Sequence, residues 1–268
     1  MKKAVKSSKE NYNLYHRELI MLQLNQLSIE NIEENISRAN SHLAAWIERF
    51  QDNTRTPEQN KNSVFKITDF YFMLAYAKYA LEEHSEVKPN FEKAAPFAFL
   101  CGFDPKLKTS NNDWTIQQEL NVVLLFAEQD VLEKLKHSEI KLSSVQHQAK
   151  LQYAELLKAI GTGQTINKDD VEAALLEAKN TKDKDVLQYI LPLLEAISAL
   201  VSGDELRWQT SIDKAITWHK DECKFGDLKD MEEGFICLNA LTMAKLGKDM
   251  HGWQCQTDSL YLPLFLID

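Results

Sequence analysis

The sequence predicts an all-α protein, an irregular multi-helix bundle of antiparallel helical hairpins with an extended C-terminal tail docked on it. Three observations predict it. Apolar residues recur at three- and four-residue spacing through most of the chain, the period of one helical face. Only 8 Gly and 6 Pro occur in 268 residues, too few for many strands joined by tight turns. The polar segments between apolar runs are short, and short connections make successive helices antiparallel neighbours.

The first helix is expected from about Lys9 to Leu27, on Leu14, Leu19, Ile20, Leu22 and Leu27. Ser28 caps the second, whose Ile29, Ile32, Ile36, Leu43, Trp46, Ile47 and Phe50 form one face and leave Glu30, Glu33, Glu34 and Arg49 to solvent. The polar stretch from Gln51 to Ser63, with Pro57, reads as a loop. Val64 to Leu81 is dense in aromatics and apolar on most of its circumference, as befits a central helix touched on several sides. Val87-Lys88-Pro89-Asn90 is expected to break the chain, and a short helix from Phe91, kinked at or opened by Pro96, runs to Cys101-Gly102-Phe103.

Asp113 is placed to cap a helix holding Trp114, Leu120, Val123 and Leu124. A short connection at Glu128-Gln129-Asp130 leads into Val131 to Lys136. Ser143 or Ser144 opens the next helix, with Gly161 expected to end it in left-handed backbone, and Asn167 with Asp169 and Asp170 starts another. From Leu187 the pattern gives an apolar helix broken by Pro192, a turn at Ser202-Gly203-Asp204, and an amphipathic helix carrying Trp208 and Trp218. An acidic connection follows, then a helix from about Lys229 to Leu246 that Gly247 stops. The expected organisation is one helical domain over residues 1–268, with 1–110 as a candidate sub-bundle. No period of about thirty-four residues recurs, which separates the pattern from a tetratricopeptide array.

Composition excludes several functions. The apolar content of 44% with 26% charged residues is that of a chain with a substantial buried core. A net charge of -9 and a pI near 5.4 lack the basic footprint that phosphate contacts need, so no nucleic-acid partner is expected. No apolar run approaches the roughly eighteen residues of a membrane span, and the basic start leads into Asn11, Tyr12 and Asn13 instead of an apolar signal, so the expected location is the cytoplasm. Cys101, Cys223, Cys237 and Cys255 include no Cys-x-x-Cys and read as buried free thiols.

The chemistry of a site is sparse. His219 with Cys223, and His251 with Cys255, have spacing that places both side chains on one helical face, but structural zinc sites use closer ligand pairs. There is no Gly-x-Ser-x-Gly, no Walker loop and no His-Glu-x-x-His. No catalytic residue, metal ligand or cofactor is therefore assigned, and an enzyme is not expected. What stands out is the connection Asp221, Glu222, Phe225, Asp227, Asp230, Glu232 and Glu233, close in sequence to Trp218. Its carboxylates with nearby aromatics have the make-up of a protein-binding patch. The competing account is that Asp227, Asp230, Glu232 and Glu233 favour the N-terminus of the next helix.

The order of an apolar helix ending Leu200-Val201-Ser202-Gly203-Asp204, the Trp208 and Trp218 helix, Glu233 to Gly247, and the tail Asp258-Ser259-Leu260-Tyr261-Leu262-Pro263 resembles the immunity protein 49 family of bacterial polymorphic toxin systems. The resemblance is clearest from Leu187 onward, and the first 110 residues fit by size and helical character. The segment Gly247 to Gln256, with His251, Trp253 and Cys255, departs from the family pattern. The resemblance implies a non-enzymatic protein that binds a cognate toxin domain stoichiometrically and protects the cell that makes it. The acidic charge implies a basic toxin surface, with Trp218, Phe225 or Trp253 as anchors if exposed. The competing function is a helical-repeat adaptor that takes a peptide in a groove, for which the equal-length hairpins are missing.

Overall fold

The computed structural model describes residues 24–110 and 112–268. The helix expected from Lys9 to Leu27 lies outside them except for its last four residues, of which Leu24, Asn25 and Leu27 are buried. Among the described residues the chain is 72% helical, with ten α-helices and no strand. None of those helices is long and apolar enough to cross a membrane. The all-α expectation is met.

Helix α1 (Ile29–Gln51) is capped as expected, the Ser28 hydroxyl accepting from the Asn31 N–H at 3.2 Å. It lies on the surface, with only Ile32 and Ala39 buried. Helix α2 (Pro57–Ala80) begins earlier than expected, because Thr56 and Gln59 form a reciprocal capping box and Pro57 occupies the first turn. Proline has no N–H to leave unpaired there, so a residue that reads as a loop former opens the helix. From Ser63 onward α2 is largely buried, the central position its aromatics predict.

Helix α3 (His84–Phe103) corrects the expected break, running unbroken through Pro89 and Pro96. Phe91 meets Tyr76 edge-on at 5.4 Å between centroids and stacks on Phe126 at 4.8 Å, while Ala94, Ala95 and Ala98 are buried. Packing of this kind outweighs the roughly 3 kcal/mol that a proline costs a helix. Helix α4 (Thr115–Phe126) is buried on nearly every side. It is capped by Asn112, whose Oδ1 accepts from the N–H groups of Trp114 and Thr115 at 3.0 and 2.9 Å. Asp113, the expected cap, is instead buried and accepts from the N–H groups of Gln146 and His147, holding the next loop.

Helices α5 (Gln129–His137), α6 (Gln148–Gly161) and α7 (Lys168–Lys179) follow. His147, not Ser143 or Ser144, caps α6. Gly161 is helical, packed so closely on Leu124 that a Cβ would meet it at 2.6 Å, and the left-handed residue is Gly163. One π-helical turn (Val186–Ile190) runs directly into α8 (Leu191–Ser202). Pro192 therefore stands just past the junction, and the backbone stays helical from the π-helical turn through it, so the expected break does not occur. Gly203 turns the chain at φ 74 into α9 (Glu205–Phe225), whose N-cap Asp204 accepts from the Arg207 N–H at 3.0 Å.

The helix expected from Lys229 starts later and ends later. A 3-10 turn (Glu232–Phe235) precedes α10 (Leu238–His251), which continues past Gly247 to the left-handed Gly252. The tail then crosses back over the bundle. Its Tyr261 carbonyl accepts from the Cys237 N–H at 2.8 Å, its Leu260 carbonyl from the Tyr79 hydroxyl, and Lys248 Nζ donates to the Ile267 carbonyl at 3.0 Å. The Tyr261 hydroxyl donates to the Leu24 carbonyl, so the last residues close over the first described ones. The main apolar core extends from Leu24 to Leu266, and a smaller one of Ala39, Phe70, Met73 and Leu74 lies between α1 and α2. Helix lengths of 23, 24, 20, 12 and 9 residues from α1 to α5 show no repeating hairpin.

Candidate functional site: an acidic connection and the cleft behind it

The last turn of α9 carries the first carboxylates of the connection. Asp221 is exposed, whereas Glu222 is half-buried and folds back, its Oε2 accepting from the Asp227 N–H at 2.9 Å. That bond turns the chain sharply and leaves Phe225 projecting, 84% exposed. Leu228 returns to the core while Asp227 and Asp230 point outward, Asp230 with φ 61. A non-glycine residue in left-handed backbone is uncommon, though aspartate is among those that tolerate it. Met231 is 46% exposed, and its carbonyl accepts from Asn25 Nδ2 at 2.9 Å.

The far end of the connection is pinned from α9. His219 Nε2 and Cys223 Sγ both bond the Gly234 carbonyl, at 3.0 and 3.1 Å. Burial pushes the His219 imidazole down to about 4, so it is neutral and donates to that carbonyl. Burial also pushes the Cys223 thiol up to about 12, leaving it protonated and unreactive. The aligned His219 and Cys223 thus serve one backbone oxygen. His251 bonds the Leu200 carbonyl at 2.8 Å, away from them.

The sequence-predicted residues separate into three groups. Asp221, Phe225, Asp227 and Asp230 are exposed together on the connection. Trp218 is not an exposed anchor: it is 7% exposed and stacked on Tyr189 at 4.0 Å, because its position on α9 faces the π-helical turn. Trp253 is half-buried and tilted against Trp208 at 5.3 Å. Trp208 lies near the start of α9 and Phe225 at its end, about 25 Å apart along the axis at 1.5 Å per residue, so Trp253 does not join the patch. Glu232 and Glu233 are half-buried, part of the 3-10 turn and not the cap of α10, which Cys237 precedes.

Behind that turn lies a cleft of about 400 Å³ between α2 and α4, lined by Asp69, Phe72, Tyr76, Glu119, Glu232 and Glu233 among others. Glu119 is the deepest carboxylate, 7% exposed. Ser110 Oγ donates to its Oε1 at 2.6 Å, and its Oε2 is buried with no hydrogen-bond partner. Burial pushes the Glu119 carboxyl up to about 8. Glu233 is raised by burial and by the charge of Asp69, and Glu232 by burial, offset by the amide of Asn35 that donates to it. Across α3, the Cys101 thiol is pushed up to about 12 by burial and by the Glu119 carboxylate.

Sequence reasoning missed this cleft because Asp69, Glu119 and Glu232 come from distant parts of the chain. One signal was present: Glu119 stands in the apolar stripe of Ile116, Leu120 and Val123. A carboxylate on a face that otherwise goes to the core is a buried charge awaiting a partner. Its helix is held firmly. Asn239 of α10 accepts from Asn121 Nδ2 at 2.6 Å and from the Tyr153 hydroxyl at 2.8 Å, and donates to the Tyr189 hydroxyl at 2.8 Å. That buried network ties α4 to α6, the π-helical turn and α10.

The family model for Immunity protein 49 matches residues 116–266, more than half of the chain, from the start of α4 to the end of the tail. No curated protein and no solved structure matches the chain. The matched residues include Glu119, the acidic connection and the docked tail, while Asp69 precedes them. The chain belongs to the Immunity protein 49 family.

Proposed function

We propose that this protein binds a cognate bacterial toxin domain stoichiometrically and neutralises it by covering its active site, acting in the cytoplasm of the cell that produces both. The observation that carries the reading is Phe225, 84% exposed among Asp221, Asp227 and Asp230 on a connection pinned at both ends. An exposed aromatic on a preorganised turn supplies contact area without an ordering cost, and aromatic residues are enriched among the side chains that dominate binding energy. Its carboxylates and the net charge of -9 suit a basic partner surface and speed the encounter. Protection then requires binding alone, and no catalytic step is assigned to the chain.

Within this reading Asp221, Phe225, Asp227, Asp230 and Met231 form the contact, and Glu222 holds the turn that presents them. Co-expression with the C-terminal toxin domain of a secreted protein encoded immediately upstream tests it. Growth should be restored and the two proteins should co-purify at equal stoichiometry. Persistent toxicity with both proteins soluble would contradict the reading.

A further inference from the structure

We infer that the cleft between α2, α4 and the 3-10 turn receives one cationic side chain of the partner, an arginine guanidinium, with Glu119 at its floor and Asp69, Glu232 and Glu233 around it. The inference rests on the proposed toxin-binding function and names the chemistry that the cleft adds to it. Its ground is Glu119 Oε2, the one carboxylate oxygen of this cleft that is buried without a hydrogen-bond partner among the described residues.

The surroundings select the donor. Phe72 and Tyr76 provide aromatic wall against which a planar cation can lie. Among the described residues no group of three or more carboxylates, imidazoles and thiols converges closely enough to hold a metal ion. A guanidinium suits carboxylates that are separated, because its five N–H donors spread over a plane and bond several acceptors at once. Two cations of the chain already stand at its edge: Lys66 Nζ lies 3.8 Å from Asp69, and Arg38 donates to Met73 Sδ at 3.8 Å and favours the ionised form of Glu232. About 400 Å³ admits an arginine side chain with several waters of about 30 Å³ each.

Entry of the cation would exchange with a proton. The titratable groups that share the cleft or face Glu119 are Asp69 and Tyr76 of α2, Cys101 of α3, and Glu232 and Glu233 of the turn. Burial holds Glu119 protonated at neutral pH, and a guanidinium beside Oε2 favours the ionised form. Binding therefore releases a proton and strengthens as pH rises towards about 8.

The probe is N-acetyl-arginine methylamide, titrated into the full chain and followed by amide NMR shifts, with the norleucine analogue as the uncharged control. Saturable shifts are expected at Ser110, Gln118 and Glu119, with affinity rising about ten-fold between about pH 6 and pH 7. Glu119→Gln should weaken binding about ten-fold or more and flatten its pH dependence. Asp69→Asn, at the exposed rim, should weaken it without touching the core, and it keeps the test open if Glu119→Gln does not fold. Equal shifts with the norleucine analogue, shifts confined to other surfaces, or no shift at all would overturn the inference. Toxin rescue without arginine binding overturns the cleft alone; arginine binding without toxin rescue overturns the function proposed above and leaves the cleft a cation site.

Discussion

A Cβ on Gly247 would lie 2.4 Å from Cζ2 of Trp208, whose indole N–H donates to the Met243 carbonyl at 3.0 Å. Here α9 and α10 meet backbone against ring, and α10 continues through the glycine for that reason. Gly247→Ala should displace the indole and cost about 1–3 kcal/mol, as overpacking of a full core does. Urea unfolding followed by tryptophan fluorescence would show it as a lowered midpoint with an unchanged slope.

The C-terminal tail is a structural closure. Tyr261 and Leu262 are buried, and Phe265, 40% exposed, stacks on His84 at 4.9 Å. Tyr261→Phe removes the bond to the Leu24 carbonyl and should lower stability by about 0.5–1.5 kcal/mol, leaving toxin affinity unchanged in calorimetry. Deleting residues 259–268 should abolish cooperative unfolding. A truncated chain that melts cooperatively near the intact midpoint would remove the tail from the fold's requirements.

Stability should respond to pH through two buried groups of opposite sign. Glu119, raised from 4.5 to about 8, contributes stability that is fully present below about pH 4.5 and lost as pH rises through about 8. Glu232 and Glu233, also raised, add in the same direction. His219, lowered from 6.5 to about 4, contributes stability that is present above about pH 6.5 and lost as pH falls towards about 4. Glu119→Gln should therefore flatten the decline between about pH 4.5 and 8, at most about 1.4 kcal/mol per pH unit for one proton, and expose the acid-side decline of His219. Denaturant midpoints at three pH values for both proteins would reveal this; parallel curves would show that Glu119 does not titrate as a buried carboxyl.

Phe225 separates binding from folding. Being almost fully exposed, it contributes little to the core, so Phe225→Ala should leave the thermal midpoint within about a degree or two while weakening toxin binding by about 2 kcal/mol or more. Paired calorimetry and thermal melts measure both. Loss of stability with intact affinity would give Phe225 a packing role instead.

The helices were legible because apolar periodicity and capping residues act locally: Ser28 and Asn167 cap helices where the sequence places them, and the chain turns at Gly203 as expected. The misread elements are those decided by partners far along the chain. Pro89 and Pro96 are overridden by the packing of α3 on α2 and α4, and Gly247 is retained inside a helix by Trp208. The acidic connection was visible as composition, and of its residues Asp221, Phe225, Asp227 and Asp230 are exposed. Trp218 was misplaced because nothing in its local pattern distinguishes a ring stacked on Tyr189 from one left in solvent. The cleft around Glu119 depends on tertiary juxtaposition of α2, α4 and the 3-10 turn, with one carboxylate in an apolar stripe as its sole local trace.

If the connection from Asp221 to Met231 docks on a toxin of opposite charge, its carboxylates set the association rate. That rate is measured by stopped flow at low and high salt for the cognate toxin domain with the native chain and with the Asp221→Lys, Asp227→Lys, Asp230→Lys triple variant. The triple variant should associate more slowly by about ten-fold or more at low salt, with the difference shrinking as salt screens the charges. Equal association rates for the two proteins at both salt concentrations would rule the connection out as the docking surface.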